Sequence, residues 1–390
     1  MDSGWYQYIA QDRVVWGVPA GEAVRAEVAR LGAERVFIIT GRTLNRATPV
    51  VDGIRQALGG KSVGVFDGCR EHTPRQTVIE AAAAIRRAGP DLILSVGGGT
   101  VIDTAKVVLV ALAENVVDVT GLDRCHITVD ASGERRIPDL RAPPIRQIAV
   151  PTTLSGAEFS CLGGAVDERR HVKDGYHGAA LCPATVIMDP AVTLPTPERL
   201  WLSTGIRALD HAVESLCSRA PAPLVDACAL HALSLLSEAL PRNRRAPEDL
   251  DARLRAQQGA WLASQGILRV DYGASHGIGH SLGAVTGLSH GYTSCVLLPA
   301  VLRWNRGQGE NRARQKRVAA SMGRTDGDAV SAVETLIKDL GLPVRLRELE
   351  VDPDCFESVA EGAMGNIWVN TNPRPIRTRE DIVAILNAAY

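Results

Sequence analysis

The sequence predicts two domains, a Rossmann-like α/β domain on a mostly parallel sheet over residues 1–189 and an all-helical domain over 190–390. Three observations predict it. Short apolar runs rich in β-branched residues alternate with Ala- and Arg-rich helical stretches through the first half. A cluster of glycines stands directly behind one of those runs. Beyond Asp189-Pro190 the texture changes to long Ala/Leu/Arg segments with few β-branched runs. The 390 residues exceed what one core normally supports, and an apolar share of 45% is ample to bury two.

In chain order, Val36–Thr40, Ser62–Phe66, Asp91–Val96 and Gln147–Val150 read as strands. They are bounded by Gly or Pro, and helical stretches such as Val78–Ala88 between them make βαβ units. Residues 116–146 mix Thr, Gly, Arg and Pro, break that rhythm and read as an excursion containing a hairpin. The basic run Arg312–Arg317 reads as a solvated helix face. With 43 Lys and Arg against 44 Asp and Glu, nothing draws the chain to nucleic acid or an anionic membrane, and a small neutral or modestly anionic molecule is the expected ligand. Eight cysteines without a Cys-x-x-Cys pair argue against a thiol metal site or a disulfide framework and fit a cytoplasmic protein. The opening Met1-Asp-Ser-Gly-Trp5 lacks the order of a secretion signal, and no apolar run reads as membrane-spanning, so a soluble protein is expected.

Behind the run 91–96 stands Gly97-Gly-Gly-Thr-Val-Ile-Asp103-Thr-Ala-Lys106. Glycines at a strand-to-helix turn let the backbone approach a ligand, and the helix N-terminus behind them offers free N–H groups to a pyrophosphate. The spacing is not Gly-x-Gly-x-x-Gly, so the glycines alone serve a plain tight turn equally well. Asp103 either works inside a pocket or simply sits well in a helix first turn.

The second half carries Gly205-Ile-Arg207-Ala-Leu-Asp210-His211-Ala-Val-Glu214, His276-Gly-Ile-Gly-His280 and His290-Gly291. Residues four apart share a helix face, so position 207 projects beside His211, and His276 beside His280. A carboxylate at 207 would complete a divalent-metal site, but arginine stands there. At about 4 Å two unit charges repel by roughly 4 kcal/mol at a protein-surface dielectric, and a dication by more. Three neutral imidazoles alone can in principle bind Zn²⁺ or Fe²⁺. Asp210 is no substitute ligand, since it points about 100° away from its neighbour His211. Arg207 either polarises a carbonyl, grips an anionic group, or pairs with Asp210 or Glu158.

The order Gly97-Gly-Gly-Thr-x-x-Asp103-x-Ala-Lys106, Pro151-Thr-Thr, Asp189-Pro190, Gly205…His211-x-x-Glu214, His276-x-x-x-His280-x-x-Gly283, His290-Gly291 and Asn372-Pro-Arg-Pro375 resembles the iron-containing alcohol dehydrogenase superfamily over nearly the whole chain. The resemblance implies a dinucleotide-binding domain, a helical domain, a site in the cleft between them, and a homodimer. It implies that the loop Gly97, Gly98, Gly99, Thr100 and Asp103 holds the NAD(P) pyrophosphate, and that Thr152, Thr153 and Leu154 line the nicotinamide side. It maps His211, His276 and His290 onto three metal-ligating histidines and His280 onto a proton-relay histidine, which makes His280 the expected proton donor.

Two departures narrow the branch. The short Pro151-Thr-Thr-Leu-Ser-Gly-Ala-Glu158 loop resembles maleylacetate reductases, and Arg207 replaces the ligand aspartate of metal-dependent members. No catalytic metal is therefore expected; Fe or Zn, if retained, would use His211, His276 and His290. Gly41 stands where NAD-preferring relatives carry an acid, so no carboxylate there repels a 2′-phosphate. Arg42 either pairs with that phosphate or is merely exposed, and NADPH use is expected alongside NADH. The implied activity is NAD(P)H-dependent reduction of a small anionic carbonyl or enone, maleylacetate-like or a carboxy- or phosphono-aldehyde. The alternatives are a metal-dependent alcohol dehydrogenase with a degenerate ligand set, a lyase resembling dehydroquinate synthase, and a non-catalytic binding protein.

Overall fold

The computed structural model describes residues 6–129, 135–170 and 172–390. Six strands, β1 (Arg13–Trp16), β2 (Val36–Thr40), β3 (Ser62–Phe66), β4 (Leu92–Gly97), β7 (Arg146–Pro151) and β10 (Thr185–Met188), form one sheet. Its order is β1-β10-β7-β4-β2-β3 with every pairing parallel. All residues of β2 and β4 are buried, as parallel strands covered on both faces require. Their side chains alternate between the two faces. Ile38, Leu94 and Val96 meet helices α1 (Ala20–Arg30) and α3 (Val50–Leu58), while Phe37, Ile39 and Ile93 meet α4 (Arg75–Ala88) and α5 (Gly99–Ala113). A short helix, α2 (Arg42–Arg46), follows β2.

The strands expected at 36–40 and 62–66 have those bounds, 91–96 lies one residue further on, and 147–150 gains one residue at each end. Within the 116–146 excursion, β5 (Thr128–Val129) and β6 (Arg135–Arg136) pair antiparallel as the expected hairpin; residues 130–134 lie outside the described residues. Sequence reading passed over β1, β10 and a second hairpin, β8 (Leu162–Asp167) with β9 (Val172–His177). β1 has only four residues, and β9, Val-Lys-Asp-Gly-Tyr-His, shows no apolar run.

The described residues divide into two compact units, Tyr8–Thr196 and Pro197–Tyr390 together with Tyr6 and Gln7. Residues 190–196 thus belong with the sheet, where Thr196 Oγ1 donates to the Thr152 carbonyl at 2.8 Å. The second unit is helical: α6 (Glu198–Leu216), α7 (Pro223–Arg245), α8 (Leu250–Ala263), α9 (Ala274–Thr286), α10 (His290–Asn305), α11 (Gly309–Ser321), α12 (Ala329–Asp339), α13 (Phe356–Met364), α14 (Ile367–Asn370) and α15 (Arg379–Ala389). Helix α6 packs against α7, α8, α10 and α11, and from Gly205 to Leu216 it is buried on all sides. Helix α7 has the length and composition to cross a membrane, contrary to the sequence reading, but it packs Val225, Ala229, Ala232, Leu233 and Leu236 inward against α6 and α8. The basic run on α11 is more than a solvated face. Arg314 Nη1 donates to the Leu216 carbonyl at 2.8 Å and Asn311 to that of Cys217 at 3.2 Å, so they satisfy carbonyls at the end of α6. All eight cysteines are free thiols.

Candidate active site

Because the sheet is parallel, the C-terminal ends of β2, β4 and β7 lie along one edge, with β4 between the other two. Gly97 closes β4, and Gly98, at the N-terminus of α5, gives that helix no side-chain cap. The first N–H groups of α5 are left for an anion, and Gly98, Gly99 and Thr100 are partly exposed. A Cβ on Gly98 would stand 2.9 Å from Thr153 Cγ2, and one on Gly99 2.8 Å from Ser155 Oγ, so glycine is what lets this loop lie against residues 153–155. At the end of β7, the Thr152 N–H donates to the Gly97 carbonyl at 3.0 Å; Thr152 and Thr153 are buried, and Leu154 is wholly so. Asp103, one turn into α5, lies 3.9 Å from Lys173 Nζ; burial raises its pKa, and Lys173 and Lys106 oppose the rise. A dinucleotide fits this edge.

Lys106, unassigned by the sequence reading, is wholly buried, and its ammonium donates to the carbonyls of Ala157 (2.5 Å), Ser160 (2.6 Å) and Leu162 (2.9 Å). It ties the loop after Thr153 to the helix that presents the glycines. At the other side, Gly41 leads into α2, and Arg42 is exposed and makes no ion pair among the described residues. The expectation that no carboxylate stands near needs correction. A bridge between Gly41 and Gly68 brings the end of β3 alongside, and Asp67 there is held by Arg46 Nε at 2.6 Å and Asn45 Nδ2 at 3.0 Å. Its carboxyl is lowered chiefly by the Arg46 hydrogen bond. Sequence spacing carried no sign of it, because Asp67 follows a different strand.

In the helical unit, α6 supplies Arg207, Asp210, His211 and Glu214, the spacing 0, 3, 4 and 7 that keeps side chains on one helical flank. Helix α9 supplies His276 and His280, and α10 opens with His290. Aromatic rings join them: His211 and His276 have centroids 4.9 Å apart, His280 and His290 5.3 Å, and Trp368 lies 4.9 Å from His280. The four expected histidines are therefore brought together. His211 and His276 are buried; His280 and His290 are half-buried.

Glu214, which the sequence reading quoted without a role, caps α9. Its carboxylate accepts the N–H groups of Gly273 (3.0 Å), Ser275 (2.9 Å) and His276 (3.3 Å), together with His276 Nδ1 at 2.8 Å. The Nδ1 hydrogen bond to Glu214 fixes the ring, and His276 Nε2 is buried without a hydrogen-bond partner. Asp210 stands between Arg207 and His276, its Oδ2 lying 3.7 Å from His276 Nδ1. Its Oδ2 accepts Ser275 Oγ at 2.8 Å and Ser294 Oγ at 2.7 Å, and Arg207 Nη1 lies 3.7 Å from it while donating to Ser294 Oγ at 3.1 Å. Of the readings open for Arg207, the pairing with Asp210 is thus present. Burial raises both carboxylates; Arg207 offsets the rise at Asp210, and the N–H donors offset it at Glu214. His211 and His276 are held well below the usual imidazole range, first by burial and then by Arg207.

Among the described residues, one trio of His, Cys and carboxylate groups places ligand atoms within 4.8 Å of one another, namely Asp210, Glu214 and His276. Both Glu214 oxygens are taken up by the hydrogen bonds above, whereas Asp210 Oδ1 and His276 Nε2 are buried without a hydrogen-bond partner. His211, His276 and His290 form no such trio.

Residues 201–390 match the Fe-containing alcohol dehydrogenase family, C-terminal, and residues 11–190 match iron-containing alcohol dehydrogenase. A 4-hydroxybutyrate dehydrogenase of Cupriavidus necator is 34% identical over 90% of this chain and 91% of its own length. A maleylacetate reductase of Burkholderia cepacia is 30% identical over 97% of this chain and 95% of its own. Among solved structures, maleylacetate reductase from Agrobacterium tumefaciens superposes with a TM-score of 0.83 at 28% identity, covering 100% of this chain and 99% of that one.

Proposed function

The chain belongs to the iron-containing alcohol dehydrogenase family, in its maleylacetate reductase-like branch, as an NAD(P)-dependent oxidoreductase of small molecules, and from that premise we propose that it reduces a small anionic carbonyl or enone without a catalytic metal. The observation that carries the proposal is Arg207. Where a metal would need an anionic donor, the site holds a buried guanidinium beside neutral His211 and His276. Two lone-pair nitrogens facing a fixed cation are a poor donor set for a dication. Arg207 uses Nη1 for Ser294, and its remaining N–H groups are the natural partner of a substrate anion.

The cofactor loop runs through Gly97, Gly98, Gly99, Thr100 and Asp103, with Thr152, Thr153 and Leu154 toward the nicotinamide and Gly41 and Arg42 toward the adenosine. Bound there, NAD(P)H supplies the hydride. For a carbonyl the hydride goes to carbon and His280 gives its proton to oxygen, forming the O–H bond; for an enone the hydride goes to the β-carbon and the proton to the α-carbon. Arg207 orients the acceptor, while the neutral rings of His211 and His276, together with His290, wall the pocket. Both 4-hydroxybutyrate and maleylacetate, named for two relatives, are carboxylates, in keeping with an anionic substrate. Arg42, in no ion pair, supports use of NADPH. The Arg46–Asp67 pairing keeps the neighbouring carboxylate masked.

Metal content by elemental analysis, joined to carbonyl-substrate assays with and without chelator, tests this reading. The expected result is well under one equivalent of Fe or Zn, no loss of rate on chelation, and NADPH used at least as well as NADH. Arg207→Asp should raise metal affinity and depress native activity. Stoichiometric metal with activity lost on chelation and restored by Zn²⁺ or Fe²⁺ would return the protein to metal-dependent chemistry.

A further inference from the structure

Arg207 does not stand alone in the buried site; it comes with a counter-charge one turn along the same helix. Asp210 is wholly buried, and its Oδ2 gathers Ser275 Oγ (2.8 Å), Ser294 Oγ (2.7 Å) and, at 3.7 Å, Arg207 Nη1. Ser294 Oγ accepts from Arg207 and donates to Asp210, so one hydroxyl bridges the two charges. The three groups come from α6, α9 and α10, the elements that also carry the histidines. This cradle holds the guanidinium through Nη1, and on the reading of Arg207 as anchor its remaining N–H groups take the ligand.

We propose that Asp210, with Ser275 and Ser294 as positioning residues, sets the charge of the substrate's anchoring group at minus one, selecting a carboxylate over a phosphonate dianion. The proposal rests on the reading of Arg207 as the anion anchor. Arg207 and Asp210 together carry no net charge, so the pair with a monoanion leaves one negative charge in the pocket, and the pair with a dianion leaves two. In a site this dry the second charge is uncompensated, and it lies close to the Asp210 carboxylate. The other acid near is Glu214, raised to about 8 by burial and by Asp210 and tied to the first N–H groups of α9 and to His276; in either protonation state it adds no cation for a dianion. His211 and His276, both neutral, add none either, and the charge of a protonated His280 is spent on the proton that it delivers to the acceptor. A carboxylate also matches the planar fork of the free guanidinium edge.

The test uses unreactive analogues of the two classes, butyrate and propylphosphonate, measured as inhibition constants on the full chain with cofactor bound. In the wild type, butyrate should bind tightest relative to propylphosphonate where the phosphonate is a dianion. As falling pH turns the phosphonate into a monoanion, the gap should close. Asp210→Asn keeps the size of the side chain and one acceptor oxygen for the two hydroxyls; it should improve propylphosphonate about tenfold relative to butyrate. The pH series needs no variant and is read above about pH 7, where Asp210, raised by burial to about 6, keeps its charge; it decides the question even where Asp210→Asn does not fold. A wild-type preference that ignores phosphonate ionisation overturns the proposal, as does an Asp210→Asn ratio equal to the wild type. Arg207→Gln separates this from the underlying reading. If both analogues weaken in Arg207→Gln while Asp210→Asn shifts nothing, the anchor stands and the charge selection falls. If neither weakens in Arg207→Gln, the anchor itself falls.

Discussion

Around Gly97 to Thr100 the chain is shaped by what its side chains lack, whereas around Arg207 it is shaped by what side chains do to one another. The phosphate loop reaches its place because residues 98 and 99 carry no Cβ to meet Thr153 and Ser155. The histidine site reaches its place through carboxylates, Glu214 on the N-terminus of α9 and Asp210 on Arg207, Ser275 and Ser294. A backbone-built site tolerates most exchanges outside its glycines. A network built from buried polar groups fails when any member goes, since each leaves a partner unsatisfied.

Lys106 is where that contrast is most exposed to failure, and the largest stability effect is expected there. It is a single side chain under the backbone-built loop, holding three carbonyls at 2.5, 2.6 and 2.9 Å. Lys106→Met keeps the apolar stem and strands those acceptors, which should cost about 4 kcal/mol in urea unfolding. NAD(P)H affinity measured by fluorescence should fall with it. Unchanged stability and affinity would mean that the glycines alone position the loop.

The next largest effect concerns His280, which the cluster places half-buried against His290 and Trp368. If it delivers the proton, His280→Ala should lower turnover by about two orders of magnitude, roughly 2.7 kcal/mol of barrier, with cofactor binding near wild type. Turnover that survives the change removes His280 from the reaction and leaves Arg207 as the working residue of that unit.

The same contrast explains what the sequence disclosed. Glycines behind a strand, and buried strands such as Val36–Thr40, announce themselves because backbone geometry and burial restrict residue type locally. The histidines on α6 and α9 were legible through spacing of four. Glu214 was visible in the motif but nothing in its spacing gave it a role, whereas the Arg207–Asp210 pair was one of the readings that a spacing of three left open, and it is present. Ser294, Trp368, Asp67 and the three carbonyls on Lys106 were beyond reach, because their roles exist only once distant segments meet. The β8–β9 hairpin was hidden for a related reason, since β9 is stabilised by what its charges pair with and not by an apolar alternation.

Those charges supply the smallest of the expected effects and the sharpest limit on the contrast, because they place a side-chain network inside the backbone-built unit. Arg75, the wholly buried first residue of α4, meets Asp123 at 2.5 Å, Asp174 at 2.8 Å and Asp167 at 3.2 Å, and Arg169 and Arg170 close the network at 2.8 Å from Asp167. Just before it, Thr73 Oγ1 donates to the Thr100 carbonyl at 3.3 Å, so the network stands behind the first turn of α5. Hydrogen bonds from Arg169 and Arg170, with the charge of Arg75, hold the Asp167 carboxyl well below the usual carboxylate range against the opposing effect of burial. A carboxyl with a folded pKa below its unfolded value stabilises the fold fully above the unfolded value, near 4, and loses that contribution as pH falls through the folded one. Asp167→Asn should therefore cost about 2 kcal/mol at pH 7, and the gap between variant and wild type should narrow as the pH is taken from 5 toward 2. Urea unfolding across that range checks it. A gap that stays constant with pH would assign the loss to the geometry of the hairpin and not to the charge of Asp167, leaving the α/β unit as purely a backbone construction as its glycines suggest.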